Sequence, residues 1–294
     1  MRAPAALCVV AVIAVAAASA RGGGRDADLR QTFRVATYNI HKGADRGGRY
    51  HLDRTIETMA RLDADLIGVQ EAMRNQEGTN CEDQPALIAA GLRRLTGEAW
   101  SYVRKPAWVT ERRECQADGR GDGVETEDLV FFARERILFS ASVRLAEGRI
   151  GLAVRVASMP DLTVVVTHLS PNRQGQADRE RELAVLLPWA AEQRAGVLVG
   201  DLNAPADAPE LAPVFARYLD GWADAAARGR IDGVPTGSTR PGRRGSRIDY
   251  VLPVRWLGLP LESVGVIDTA TLGLGEVSDH HPVVATFRRG IATE

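Results

Sequence analysis

Lysine is almost missing from this chain: among 37 basic residues only Lys42 and Lys105 are lysines, the rest being arginine. That bias reads as codon usage in a GC-rich genome and carries no functional weight. Aromatic residues are few, at 5%, which argues against a base-stacking surface for single strands. An excess of positive charge is also missing. The 37 basic residues face 38 acidic ones, so the electrostatic footprint of a tight duplex binder is absent. Cysteine is scarce, with three in all, and no close Cys/His ligand pairs suggest zinc. No Walker loop, dinucleotide-binding glycine fingerprint or serine-nucleophile elbow is present.

What is there is apolar material for a sizeable core, 45% of 294 residues. The first twenty residues stand apart. Arg2 gives a positive start, an apolar run extends from Ala5 to Ala17, and Ala18-Ser19-Ala20 supplies small residues at a cleavage position. These are the three regions of a secretory signal peptide, expected to be removed after Ala20. The rival reading, an uncleaved anchor, needs ~20 strongly apolar residues, and this run is shorter and alanine-rich. A secreted or periplasmic protein without a transmembrane span follows as the expectation, with a monomer as the simplest state. Removing residues 1–20 leaves Cys81 and Cys115, an even pair that suggests a disulfide in an exported chain.

Residues 21–31 read as a glycine-rich flexible leader, and 32–289 as one domain. Buried strands are predicted at Phe33–Asn39 and Asp65–Gln70, with a helix at Asp53–Leu62 between them, capped by Asp53. A second helix is predicted at Pro85–Leu95. Residues 74–127 otherwise show no clear period and read as a loop region stapled by the cysteines. Strand-like runs follow at Leu129–Ala133, Ile137–Leu145, Ile150–Ala157 and Leu162–Thr167, close enough for antiparallel pairing. A helix carries Leu183, Leu186, Leu187 and Ala190 on one face. Short strands at Val197–Gly200, Ile248–Leu252 and Val283–Phe287 complete an α/β (α+β) domain with mixed or antiparallel sheets.

Polar, chemically capable residues gather at the ends of these strands: Asn39 and His41, Gln70-Glu71, Thr167-His168-Leu169, Gly200-Asp201-Leu202-Asn203, Arg247-Ile248-Asp249-Tyr250 and Ser278-Asp279-His280. The oxygen-rich inventory suits a hard divalent cation, Mg²⁺ with Mn²⁺ as the alternative. A carboxylate-held cation beside an oriented imidazole fits attack of water on a phosphoester.

In this order the motifs resemble the endonuclease/exonuclease/phosphatase superfamily, which includes pancreatic-type deoxyribonucleases, abasic-site endonucleases, sphingomyelinases and inositol-polyphosphate phosphatases. Gly-Asp-Leu-Asn followed about eighty residues later by Ser-Asp-His is the specific part. The resemblance spans about residues 32–289. It implies a four-layer α/β sandwich of two packed sheets flanked by helices. It also implies Glu71 as principal metal ligand, with Asn39 and Asp279 beside it, directly or through water. Asp201 would orient or activate the attacking water, Asn203 would touch the scissile phosphate, and His280, oriented by Asp249, would contact or protonate it. His168 would stand on the leaving-group side, as in the family's diesterases.

His41 departs from the abasic-endonuclease pattern, which has an acidic residue there; with Lys42 it touches phosphate or merely shapes a turn. His281 reads as structural and His51 as a surface residue. Asn172 is a further candidate for phosphate contact. The loop Thr236–Arg247 carries Arg240, Arg243, Arg244 and Arg247, either a solvated charge run or a clamp on an anionic substrate. The leading expectation is therefore an exported Mg²⁺-dependent phosphodiesterase acting on nucleic acid. The alternatives are a phospholipid or sphingomyelin head-group phosphodiesterase, for which Trp100, Trp108 and Trp222 would be the membrane-facing candidates, and an inositol-phosphate phosphatase. A non-catalytic binding protein of the same fold is the remaining class.

Overall fold

The computed structural model describes residues 31–289 apart from 112–113, 118, 120, 172–174, 243–244 and 256–259. The expected signal segment, nearly all of the leader, Asn172, Arg243 and Arg244 lie outside the described residues. The first half of the domain contains β1 (Thr32–Asn39), α1 (Leu52–Arg61), β2 (Leu66–Arg74), α2 (Gln84–Thr96), β3 (Ser101–Glu111), α3 (Glu114–Ala117), β4 (Val124–Ala133), β5 (Ile137–Arg144) and β6 (Ile150–Val156). The second contains β7 (Met159–His168), α4 (Gln176–Glu192), β8 (Ala195–Asp201), α5 (Ala212–Arg217), α6 (Gly221–Ala227), β9 (Ile231–Gly233), β10 (Asp249–Pro253), β11 (Leu261–Val266) and β12 (Val283–Arg288).

A seven-stranded sheet has the order β3-β4-β2-β1-β12-β11-β9, and a five-stranded sheet the order β10-β8-β7-β6-β5. Both are mixed: β1 with β2 and β7 with β8 are parallel, whereas β1 with β12 and β8 with β10 are antiparallel. Period-two alternation sorts each strand between two apolar layers. Phe33 and Val35 of β1, Val164 and Val166 of β7, Val197 and Val199 of β8 and Val251 of β10 meet in the core between the sheets. Ala36 and Tyr38 face outward onto Ile56 and Met59 of α1 and Ile88 and Leu92 of α2. On the other side Val165, Leu198 and Leu252 pack on Leu183, Leu186 and Ala190 of α4. Helices, sheet, sheet and helices make the four layers of an α/β sandwich. Each large apolar side chain buried this way contributes about 1.5–3 kcal/mol.

Some local expectations need correction. Helix α1 has His51, not Asp53, at its N-cap; Asp53 lies in the first turn, where its carboxylate still favours the helix dipole. His51 is half-buried, its Nε2 3.7 Å from Asp45 Oδ2, and not a surface residue. The stretch read as a stapled loop contains β3 and the first four residues of β4, which pair as a long hairpin. Its pattern is hard to see because β3 is an edge strand, with Arg104, Lys105 and Pro106 beside a bulge between Pro106 and Trp108. Trp108 thus belongs to a strand. The Cys81–Cys115 disulfide is formed and ties the segment after β2 to α3 at the tip of this hairpin.

Candidate functional site

The alternation that builds the inter-sheet core also delivers the site. Two residues beyond Val166 lies His168; two beyond Val199 lies Asp201; two before Val251 lies Asp249; two before Leu129 lies Glu127; and Asn39 continues the Phe33–Val35 face of β1. Apolar side chains fill the body of the sandwich, and these polar ones occupy one end. His168 and Asp249 are both register partners of Asp201, so the three stand side by side across β7, β8 and β10. Gly200 is required for this alignment. Its φ is +144°, and a Cβ there would lie 2.0 Å from the Thr167 carbonyl oxygen.

Glu71 arrives by a different route. Strict alternation would send it after Ile67 and Val69 toward the helices. Instead β2 bulges between Val69 and Ala72, and Glu71 takes a left-handed φ of 59°. A bulge of this kind re-aims a side chain, and the strained backbone is held by the strands on either side. Asn39 Nδ2 then donates to Glu71 Oε1 at 3.0 Å and to Asp201 Oδ2 at 3.1 Å, linking the two sheets. Asn39 Oδ1 accepts from the His41 backbone N–H at 3.0 Å, which fixes the orientation of the amide. Asn39 therefore positions two acids and does not turn its oxygen toward them.

Asp201 is the hub. Its Oδ1 accepts from the Asn203 backbone N–H at 2.8 Å, and its Oδ2 lies 3.6 Å from His168 Nε2 and 3.7 Å from His280 Nε2. Burial and the neighbouring Asp249 push its carboxyl up to about 7, against the opposing pull of His280 and the Asn203 and Asn39 donors. His280 Nδ1 contacts Asp249 Oδ2 at 2.8 Å. Burial disfavours its charged form, but Asp249 and Asp201 outweigh that and raise it to about 10. His168 is the opposite case: burial, reinforced by Arg149 and His280, holds it well below the ordinary histidine range. Glu127 is pushed up to about 7 by burial and by Glu71, against Arg149 and Lys42.

Other candidates fall into place around this cluster. Asp279 Oδ1 lies 3.8 Å from His280 Nε2, and its Oδ2 accepts from Arg240 at 3.2 Å. One amide proton of Asn203 goes to the Leu169 carbonyl at 2.9 Å, so the side chain also braces its own loop. His41 Nδ1 lies 3.2 Å from the carbonyls of both Ala44 and Asp45, which gives the ring a turn-shaping role. His281 is structural: its N–H donates to Thr239 O and its ring is largely buried.

Arg247 is a correction. Both its Nη atoms donate to Asp220 at 2.8 Å, and its guanidinium lies over Trp222 and Tyr250. An arginine fork closed on a carboxylate and stacked on rings braces the fold. Trp222 is correspondingly packed. The sequence reading missed Arg149 and Glu127; no motif marks them, although the alternation from Phe131 and Leu129 leads to Glu127.

The donor set fits a hard divalent cation. Among the described residues, ligand atoms of Asp201, Asp249 and His280 lie within 4.8 Å of one another, and Asp249 Oδ1 is buried without a hydrogen-bond partner. Because Asp249 already engages His280 Nδ1, and the surrounding acids keep that ring protonated, this pair is suited to phosphate.

An oxygen-rich centre with two imidazoles at one end of a four-layer α/β sandwich is the plan of the metal-dependent phosphoesterases. A model of the Endonuclease/Exonuclease/phosphatase family matches residues 36–280, and the chain belongs to that family. No curated protein matches it in sequence. Solved structures share the fold. An endonuclease/exonuclease/phosphatase from Beutenbergia cavernae is 23% identical, with a TM-score of 0.64 over 90% of this chain and 73% of that one. A mannosyl-6-phosphatase from Bacteroides thetaiotaomicron is 14% identical, with a TM-score of 0.63 over 87% of this chain and 100% of that one. The catalytic domain of human Nocturnin, with a bound sulfate anion, is 18% identical, with a TM-score of 0.61 over 87% of this chain and 93% of that one.

Proposed function

We propose that this protein is an exported, Mg²⁺-dependent phosphodiesterase that hydrolyses nucleic acid by in-line attack of water. The observation that carries the reading is the placement of two imidazoles on one carboxylate: His168 and His280 both face Asp201 Oδ2. Such a pair provides for both sides of a diester phosphorus. Asp201, with its carboxyl raised to about 7, takes the proton of the attacking water. His280, kept protonated by Asp249, holds the phosphoryl oxygens and balances their growing charge. Glu71, steadied by Asn39, would hold the cation together with Asp279; when bound, Mg²⁺ or Mn²⁺ supplies Lewis-acid charge to the phosphoryl group. Asn203 retains one amide proton for the same group.

The hydrophobic leader of residues 1–20 and the Cys81–Cys115 disulfide support export into an oxidising compartment, where the protein would act as a monomer. Among the described residues, no helix is long and apolar enough to cross a membrane.

Nicking of supercoiled plasmid in Mg²⁺ tests the reading, with EDTA and Glu71→Gln as controls. Metal-dependent nicking lost in the variant is the expected result. Mg²⁺ binding without nicking would transfer the assignment to phospholipid head groups or inositol phosphates, and absence of both binding and hydrolysis would overturn it.

A further inference from the structure

Arg149 immediately precedes β6, and its side chain turns into the space between the sheets, where the residue is only 9% exposed. Its Nη1 lies 3.2 Å from His168 Nδ1 and 3.8 Å from Glu127 Oε1. A guanidinium has donors and no acceptor. The contact with Nδ1 therefore needs the lone pair of that nitrogen, which leaves the ring proton on Nε2. Nε2 is the atom aimed at the acids, 3.6 Å from Asp201 Oδ2 and 4.0 Å from Glu71 Oε1.

His280 shows the reverse arrangement. Its Nδ1 faces a carboxylate, Asp249, which can only accept, so Nδ1 carries a proton there. Two imidazoles thus approach one Asp201 oxygen with opposite backing, one from an anion and one from a cation. A carboxylate behind an imidazole supports the charged ring, with a proton on each nitrogen. A guanidinium behind it fixes the ring as a neutral donor whose outward N–H is always present.

We propose that Arg149 is a positioning residue that locks His168 in the Nε2–H form, so that His168 donates a hydrogen bond to a substrate oxygen without exchanging a proton with it. This deepens, and rests on, the phosphoester-hydrolase reading. It divides the work between the two histidines: His280 is the charged partner of the phosphoryl group, and His168 a fixed donor that selects where an oxygen can sit. Glu127, from β4, places a carboxylate 3.8 Å from the same Nη1 and so balances the buried guanidinium.

Histidine-selective ¹⁵N labelling of the metal-free protein tests the proposal through long-range proton–nitrogen spectra of the rings. In the unaltered protein, the His168 ring should show a bare Nδ1 and a protonated Nε2. Arg149→Met should release the ring to a mixture of tautomers, and Arg149→Lys, which restores a donor, should bring back the single form. On whichever phosphoester is hydrolysed, Arg149→Met should lower kcat about tenfold to hundredfold with little change in KM, with Lys recovering a large part. A proton on His168 Nδ1 in the unaltered protein, or an unchanged tautomer in Arg149→Met, would overturn the proposal. The spectrum of the unaltered protein and that of Arg149→Lys suffice if the Met variant does not fold. Because the spectra need no substrate, absence of hydrolysis would sink the functional reading alone, and a wrong tautomer in an active enzyme would sink this inference alone.

Discussion

His280 and Asp249 meet at 2.8 Å through Nδ1 and Oδ2, both side chains almost fully buried, and the contact joins the two sheets. Asp249 opens β10 of the five-stranded sheet, and His280 lies just before β12 of the seven-stranded one. A proton-bearing pair is thereby placed at the seam where the sandwich opens. Replacing Asp249 with Asn keeps the shape and removes the charge. We expect kcat to fall by about 10²–10⁴, with KM less affected. The double variant with His280→Ala should be no worse than the poorer single variant, because the two act as a unit. Steady-state hydrolysis by the three variants measures this, and additive losses would separate the two roles.

The shifts at Asp201 and His280 set a pH profile. Asp201 must lose its proton to act as a base, so kcat/KM should rise as pH passes about 7. His280 must keep its proton, so the profile should descend toward about 10. In Asp249→Asn the descending limb should move to lower pH, since the main support of the charged ring is gone. An unmoved limb would assign it to another group.

Metal affinity should follow Glu71. Titration calorimetry with Mg²⁺ is expected to show binding weakened at least about tenfold by Glu71→Gln, with a smaller loss in Asn39→Ala. The second change removes only the amide that holds Glu71 and Asp201 in place. Equal affinity in Glu71→Gln and the parent would move the cation to Asp201 and its neighbours.

Glu127 supplies a stability test that needs no substrate. Its carboxyl is raised to about 7, so between its ordinary range and neutral pH the native state keeps a proton that the unfolded chain releases. Stability attributable to this group therefore falls as pH rises through that window. Denaturant unfolding without metal, compared between parent and Glu127→Gln, should show the variant gaining relative stability from about pH 5 to about pH 8. A difference that is flat with pH would remove Glu127 from the coupled cluster.

The disulfide closes a loop of 34 residues in sequence separation. In the chain-entropy account, Cys81→Ser with Cys115→Ser should cost about 3–4 kcal/mol in equilibrium unfolding. Neither cysteine is among the acids and histidines gathered around Asp201, so activity at low temperature should survive. Loss of activity in a variant that remains folded would tie the β3–β4 hairpin to the site.

Most of the site was legible in the chain because its residues sit at strand ends, where alternating apolar runs stop and polar residues begin. Asn39, His168, Asp201 and Asp249 each extend a stripe that already faces the inter-sheet core, and local period-two geometry is enough to place them there. The sequence also determined the α/β class and the order of the motifs, whose resemblance to the family implied the two packed sheets. Tertiary structure decided the rest. Glu71 has the wrong parity for the site, and only the bulge opposite β4 turns it inward. Arg247 looks like a free cation until Asp220, from a distant helix cap, closes its fork. Arg149 belongs to no motif and matters only because β6 and β7 pair so that it meets His168 Nδ1. Local propensity determines which face a side chain leaves from. Which partner stands opposite is set by pairing between segments far apart in sequence, and that pairing fixes each group's charge and proton position.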